Sequence, residues 1–360
     1  MGFKKRLYKL LPLKGRVFLF KRFLMDKDTG YGGVFRTALN GALEDFLLPD
    51  EKENKRLVRK LSDDIISCWI KYKALPYEYF LFNFRHLSDG DRWEFETDVD
   101  RLQTLNRISG PELFLEEIND KYNFYLLAKD FFKREAFKID KESSAGDFVA
   151  FVQKHPEVFV KPLNSSKGRG ARVFTYSDGD SASEFFSSLL EDGSEWMVEE
   201  KIRQSEEMAR WNASSVNTIR IPTFLRDGKF TVIWTRMRTG KKGAIVDNAG
   251  QGGIVVNVDP SSGVVTTDGI DEAYHHFEAH PDTHIPFKGW HVPRWEELLS
   301  TVERLHRSVF SRHIYIAWDF ALTDDGWVVI EGNWGQLLGQ QTASQKGVRR
   351  EFHRLMGDGQ

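Results

Sequence analysis

The sequence predicts an α+β chain with antiparallel sheets, and three observations carry the prediction. Beyond a helical stretch that begins near Pro111, short runs rich in β-branched and aromatic residues alternate with Gly-rich connections of hairpin length. Toward the C-terminal end, Tyr315-Ile316-Ala317-Trp318-Asp319-Phe320-Ala321 and the run closing in Glu331-Gly332-Asn333 flank Thr323-Asp324-Asp325-Gly326, a hairpin signal. Residues up to about 108 read as mostly helical, with turns at Asp26-Lys27-Asp28-Thr29-Gly30 and Ser88-Asp89-Gly90-Asp91.

In chain order, Phe80, Phe82 and Phe84 are too dense for a surface and predict a packing knot. A helix is expected from Pro111 toward Tyr122-Asn123-Phe124-Tyr125-Leu126-Leu127-Ala128, carrying Asp120-Lys121. Strands are expected at Val158-Phe159-Val160-Lys161, Arg172-Val173-Phe174-Thr175-Tyr176, Trp196-Met197-Val198-Glu199, Asn217-Thr218-Ile219-Arg220-Ile221 and Phe230-Thr231-Val232-Ile233-Trp234. Helices are expected over residues 181–190 and 295–310. The expected division is a helical region at 1–108, a smaller lobe at 109–200 and a larger lobe at 201–360.

The chain has 360 residues, enough for two or three lobes with cores of their own. Lys+Arg 51 against Asp+Glu 53 gives no global attraction to nucleic acid. The single Cys68 excludes a disulfide framework or a Cys-rich metal site and fits a reducing cytoplasm. No run is long enough to cross a bilayer. Lys4, Lys5, Arg6, Lys9, Lys14, Arg16, Lys21 and Arg22 all precede the first acid, Asp26. Basic residues interrupt every apolar run there and no small-residue cleavage site follows, so this is not a signal peptide pattern. A solvated helix packed on the body is the preferred reading; peripheral association with a membrane or a membrane-bound partner is the other.

The hairpin carries the first candidate site. With Asp324-Asp325-Gly326 as a three-residue loop and Thr323 paired with Trp327, Asp319 falls opposite Glu331, and Asn333 shares that face. Two facing carboxylates and an amide oxygen suit one Mg²⁺, with nucleotide phosphates completing its shell. Neutralising either acid is expected to relieve their repulsion and leave the fold intact. Upstream, Lys161 ends a strand and leads into Asn164-Ser165-Ser166-Lys167-Gly168-Arg169-Gly170, a loop whose N–H groups, hydroxyls and Lys167 can cover phosphate. It lacks Walker spacing and precedes a strand, so a strand–loop–strand flap is expected.

Trp196-Met197-Val198-Glu199-Glu200-Lys201-Ile202 could pair an adenine with its backbone, with Glu207 placed for ribose hydroxyls. Arg220, Arg236 and Arg238 lie on one sheet face and call for an anion, either a phosphoryl group or a substrate carboxylate. The tight loop Asp247-Asn248-Ala249-Gly250-Gln251-Gly252-Gly253 allows close backbone approach to a ligand. His280-Pro281 and Gln340-Gln341 are weaker candidates. No triad order or H-E-x-x-H motif is present, which disfavours a hydrolase with a protein nucleophile or a zinc protease.

Taken in order, these residues resemble the ATP-grasp superfamily over about residues 110–345. Ser215-Val216-Asn217-Thr218-Ile219-Arg220, Val246-Asp247-Asn248, Gly252-Gly253, His280-Pro281 and Trp318-Asp319 are similar to the sugar-transfer-associated group, and more distantly to the teichuronopeptide-synthesis type. Trp334-Gly335-Gln336-Leu337 departs from that pattern, which touches the substrate side. The resemblance implies two α+β lobes gripping ATP, with Lys121 and Lys161 on phosphates and Ser165, Ser166, Lys167, Gly168 and Gly170 in the covering flap. Glu199, Glu200, Lys201 and Ile202 would form the adenine hinge and Glu207 the ribose contact. Asp319, Glu331 and Asn333 would hold one or two Mg²⁺ ions, as in D-alanine–D-alanine ligase-like enzymes.

It further implies a ligase joining a carboxylate, such as a uronic acid or amino acid, to an amine through an acyl phosphate. Arg220 and Lys161 would act on the reacting phosphoryl group, and Arg236, Arg238, Asp247, Asn248, Gly252 and Gly253 would face the substrate. Two alternatives stand beside it: a kinase acting on a hydroxyl, and a non-catalytic nucleotide-binding partner of a glycosyltransferase complex. The implied setting is cell-surface polysaccharide or sugar-conjugate synthesis in the cytoplasm, with the basic N-terminus as the contact to membrane or glycosyltransferase machinery.

Overall fold

Local capping sets the first half of the molecule. Asn54 and Ser88 accept from the backbone N–H groups of Leu57 and Asp91 and so start the helices Lys55–Tyr72 and Asp89–Trp93. In this computed structural model, residues 8, 10–25, 31–164, 170–191, 193–247, 252–273 and 275–358 are described. They form two units, Met1–Arg107 with Gln336–Gln360, and Ile108–Gly335.

The first unit is helical. Helices Leu13–Leu19, Tyr31–Phe46, Lys55–Tyr72 and Asp98–Ile108 are its longer elements before residue 109. Ile65, Ile66, Cys68, Phe82 and Phe84 are fully buried in its core. The expected aromatic knot is present, and a turn makes it. Phe82 caps the helix Pro76–Leu81, Asn83 takes a left-handed conformation at φ 55°, and Phe84 opens a short 3-10 turn. Phe82 and Phe84 therefore both turn inward against Phe95, at 4.8 and 5.5 Å between ring centres, while Phe80 stacks on Phe46.

The last segment joins this unit and not the larger lobe, which differs from the 201–360 span expected from sequence. Helix Arg349–Met356 buries Phe352 and Met356, and Arg349 pairs with Asp100 at 2.8 Å. Gln341 accepts from the Glu96 N–H and donates to the Glu96 carbonyl, both at 2.9 Å. An amphipathic helix shows that it needs a partner surface, but its sequence does not name which one.

The second unit carries two antiparallel sheets. Strands β1 (Ala136–Ile139), β2 (Glu157–Pro162), β3 (Arg172–Thr175) and β4 (Trp196–Glu200) form a four-stranded sheet in the order β1-β4-β2-β3. Helices Ala145–Lys154 and Gly179–Leu190 cover one face of it, burying Val158, Val160, Val198, Phe148 and Phe186. Its other face carries Met197, which belongs to the core of the larger sheet.

That larger sheet contains β5 (Thr218–Arg226), β6 (Lys229–Val232), β7 (Arg236–Thr239), β8 (Ile254–Asn257), β9 (Gly269–Ile270), β10 (His276–Phe277), β11 (Tyr315–Thr323) and β12 (Gly326–Asn333). The order is β10-β9-β8-β7-β5-β11-β12, with β6 paired to β5. Helix Trp295–Ser308 packs Leu298, Val302 and Leu305, spaced for one helical face, into the same core as Trp318 and Phe320.

The helix expected to run unbroken from Pro111 is interrupted. Helix Pro111–Phe114 passes into a π turn at Leu115–Asn119, and Asp120 is extended. Its carboxylate accepts from Tyr122 and Asn123 N–H, so a new helix, Lys121–Leu127, begins with Lys121 at its first position. Among the described residues, no helix is long and apolar enough to cross a membrane.

Candidate active site

The β11/β12 hairpin brings Asp319 opposite Glu331, by a route other than the one expected. Thr323 pairs with Gly326, so the loop is the two residues Asp324 and Asp325. The register then shifts between Asp319 and Phe320, leaving Ile330 as an extra residue, which restores Asp319 to Glu331. On its other side Asp319 pairs with Arg220, Arg220 with Arg236, and Arg236 with Asn257. Cross-strand partners share a face, so Glu331, Asp319, Arg220, Arg236 and Asn257 form one row across five strands. Thr218 and Arg238 form the neighbouring row on that face.

Charge is densely paired here. Arg220 donates from Nε and Nη2 to the two Asp319 oxygens, the second at 2.6 Å, and from Nη1 to Asn333 Oδ1 at 2.9 Å. Arg238 Nη2 donates to Asp319 Oδ2 at 2.9 Å. Burial would raise the Asp319 pKa, but Arg220 and Arg238 overcome it and hold the carboxyl at about 2. Glu331 is pushed above the usual carboxylate range, first by desolvation and then by Asp319. Arg236 is pushed down to about 9 by burial and by the guanidinium groups of Arg220 and Arg238. An anion arriving on this row would relieve that repulsion.

Asp247 is buried, and its Oδ2 accepts from both the N–H (3.1 Å) and the hydroxyl of Thr218 while standing 3.6 Å from Arg238 Nε. It braces Arg238 instead of facing a ligand. Gly252, with φ 85°, and the buried Gly253 precede β8; Asn248 lies outside the described residues.

The smaller sheet supplies the cations. Glu199 sits two residues from the partner of Lys161 across the β2/β4 ladder and on the same face. Its carboxylate is shared between the Lys161 ammonium and Arg134, whose Nη2 lies at 2.6 Å. Arg134 also donates to the Val329 carbonyl at 2.9 Å and lies over the Phe132 ring, so it ties β4 to the hairpin. Lys161 and Arg134 hold the Glu199 pKa down against its burial. Lys121 donates to the Leu163 carbonyl at 2.6 Å; burial and nearby Lys161 lower its pKa, while Glu331 pulls the other way. Lys121, Lys161 and Arg134 outnumber Glu199, so this cluster is net positive, and both Lys121 and Lys161 interact electrostatically with Glu331.

Glu199 is thus buried inside an ion network, so its side chain is not on the hinge surface where an adenine would lie. Lys201 turns to Glu157 at 3.1 Å, Glu200 lies 3.7 Å from His155, Ile202 is partly buried, and Glu207 is exposed in the first turn of helix Glu206–Ala209. Ser165, Ser166, Lys167 and Gly168 lie outside the described residues. At Gly170, with φ 75°, a Cβ would lie 3.1 Å from Pro162, so the backbone at this residue passes close to the end of β2. His280 is a satisfied core residue, bonded to the Gly240 carbonyl at 2.9 Å, and Gln341 lies in the other unit. Arg134 went unread in the sequence, because nothing local marks an arginine after Phe131-Phe132-Lys133 as the partner of a distant glutamate.

Among the described residues, no group of three or more His, Cys, Asp or Glu could hold a metal ion. The donor set here is Asp319, Glu331 and the Asn333 amide oxygen, all oxygen, which fits Mg²⁺. The guanidinium of Arg220 lies against two of these three residues, as a cation would.

Residues 105–356 match the family described as sugar-transfer associated ATP-grasp. The chain belongs to this family. A search of curated proteins finds no match. Among solved structures it is similar to D-alanyl-alanine synthetase A from Vibrio cholerae O1 biovar eltor str. N16961, at 12% identity and TM-score 0.44, over 69% of this chain and 67% of that one. D-alanine–D-alanine ligase from Bacillus anthracis matches at 14% identity and TM-score 0.39, over 67% and 66%. The D-cycloserine synthetase DcsG matches at 13% and 0.42, over 78% and 93%. The ATP-grasp chain described here thus spans about two thirds of the first two of these proteins.

Proposed function

We propose that this ATP-grasp protein is an ATP- and Mg²⁺-dependent carboxylate–amine ligase acting in sugar-conjugate or polysaccharide synthesis. The γ-phosphoryl group of ATP passes to a substrate carboxylate, releasing ADP. An amine then attacks the acyl phosphate, giving an amide, phosphate and a proton. The observation that carries this reading is the facing pair Asp319 and Glu331, set between the lysines Lys121 and Lys161 and a row of arginines.

Each group has a role in it. Lys121 and Lys161 bind ATP phosphates, with Glu199 and Arg134 fixing Lys161. Asp319, Glu331 and Asn333 hold Mg²⁺, which when bound neutralises charge between the phosphates. Arg220 meets the transferring phosphoryl group, and Arg236 orients the substrate carboxylate. No protein nucleophile is needed, because positioning and charge neutralisation do the work. The family's description as sugar-transfer associated supports a uronic acid or amino acid as acyl donor.

Hydroxylamine tests the reaction. With ATP, Mg²⁺ and the correct carboxylate it should yield a hydroxamate, since an acyl phosphate acylates it and an alkyl phosphate does not. A screen of uronic acids and amino acids by ADP release, with products weighed by mass spectrometry, identifies that carboxylate. A stable phosphate monoester without hydroxamate would replace the ligase with a kinase.

A further inference from the structure

The helical unit has a cationic and aromatic face that the reaction does not use. Helix Leu13–Leu19 and the π turn Phe20–Leu24 bury Val17 and Phe20, with Phe20 edge-on to Phe35 at 5.2 Å. The opposite side exposes Lys14, Phe18, Arg22 and Phe23, with Phe18 65% and Phe23 62% accessible. Lys14 and Phe18 also line a cleft of about 880 Å³, together with Arg59 and Lys60 of helix Lys55–Tyr72. Leu13, Val17, Leu57 and Leu61 contribute its apolar lining.

The acids of the cleft are already used. Asp63 pairs with Lys21, and Asp64 takes both Arg92 amino groups at 2.9 Å. Among the described residues, no acid forms an ion pair with Lys14, Arg59 or Lys60. Three cations without counter-charge beside two exposed phenylalanines make a face that is apolar and positive together. Charge complementarity requires an anionic partner, and the exposed rings require one into which they can partly dissolve.

We propose that this face docks on an anionic lipid bilayer. Phe18 and Phe23 enter the boundary between headgroups and acyl chains, while Lys14, Arg59 and Lys60 meet lipid phosphates. A bilayer satisfies both demands without a shape-matched groove, and the open cleft leaves room for headgroups. The docking face belongs to the helical unit and contains none of the candidate site residues.

Flotation of the full chain with vesicles tests the docking. The chain should float with phosphatidylcholine vesicles containing phosphatidylglycerol, stay behind with phosphatidylcholine alone, and be released by salt. Lys14→Glu/Arg59→Glu/Lys60→Glu should weaken binding by more than about a hundred-fold, at about five-fold for each of the three positive charges lost and more for the three acids added. Phe18→Ser/Phe23→Ser should weaken it at unchanged salt dependence. Circular dichroism and melting should match the parent chain, and Gln in place of Glu serves where the reversed charges disturb folding. Equal binding to neutral vesicles, no binding to anionic ones, or binding indifferent to both variants overturns the proposal. So does glycerol phosphate binding as tightly as the vesicles, which would make the cleft a soluble phosphate site, or an acidic peptide binding where the vesicles do not.

Discussion

Neutralising Asp319 and neutralising Glu331 should have opposite structural consequences, although the two carboxylates face each other and serve one proposed metal. Asp319 is 1% exposed and accepts three hydrogen bonds from Arg220 and Arg238. Asp319→Asn removes the carboxylate to which two buried guanidinium groups donate and turns an amide N–H₂ toward one of them. Breaking a buried, hydrogen-bonded ion pair from one side costs about 3–5 kcal/mol. For a unit the size of Ile108–Gly335 that corresponds to a fall in melting temperature of roughly 6–20 °C. Glu331 is partly exposed and is disfavoured as an anion by burial and by Asp319. Glu331→Gln removes that repulsion at the expense of a weaker attraction to Lys161, so its effect should stay within about 1 kcal/mol.

The assay is thermal and urea unfolding of both variants in EDTA without nucleotide, where no metal contributes. Equal losses, or a greater loss for Glu331→Gln, would refute the assignment of the arginines to Asp319. Both variants should nevertheless lose Mg²⁺-dependent ADP formation. The symmetrical outcome expected from sequence, with the fold intact in both, does not survive the finding that only one acid is embedded among arginines.

Two further outcomes follow from the same geometry. Lys161→Ala should weaken binding of an ATP analogue by about 1.5–3 kcal/mol, the range of a hydrogen bond to a charged group, while Glu199 remains paired with Arg134; titration calorimetry giving an unchanged Kd would remove Lys161 from the phosphate site. His306 is held neutral at a pKa of about 4 by burial, with Thr223 on Nδ1 and the His313 carbonyl on Nε2, both at 2.8 Å. Between pH 6.5 and 4 the unfolded chain takes up a proton at this residue that the folded one refuses, so the contribution of His306 to stability falls on acidification through that window, by up to about 1.4 kcal/mol per pH unit, and is level above it. Urea midpoints across this range should slope less for His306→Gln than for the parent chain, and parallel slopes would show that His306 does not titrate there.

Much of the site was legible because strand periodicity is local. The alternation in Thr218-Ile219-Arg220 and Arg236-Met237-Arg238 places those arginines on one face whatever lies next to them. The pairing of Asp319 with Glu331 came out as read, yet the hairpin loop is one residue shorter than read and the Ile330 bulge restores the pairing. Sequence periodicity carries no marker for such a bulge. What was illegible was long-range. Glu199 reads as an acid at the end of a strand until Arg134, two residues ahead of its cross-strand partner Ala136, reaches its carboxylate. Asp247 reads as a loop ligand until Thr218 and Arg238 claim it. The C-terminal helix Arg349–Met356 was not among the elements read, and its partners Glu96 and Asp100 come only from the packed chain.

The arrangement also explains why arginine and not lysine occupies position 220. Its planar group serves two Asp319 oxygens and the Asn333 amide oxygen at once, spanning β11 and β12 from β5. An ammonium could hold the charge, but it has no fixed fork to set the orientation of both acceptors. Arg220 therefore holds the Asp319 carboxylate of β11 and the Asn333 amide oxygen of β12 on one guanidinium. If those oxygens hold Mg²⁺ as proposed, Arg220 would have to yield or share them. A bound phosphoryl group would compensate it, since it offers the guanidinium new acceptors. On this argument phosphate and metal binding support each other through one side chain, and Arg238, braced by Thr218 and Asp247, keeps Asp319 from being left with uncompensated charge during the exchange.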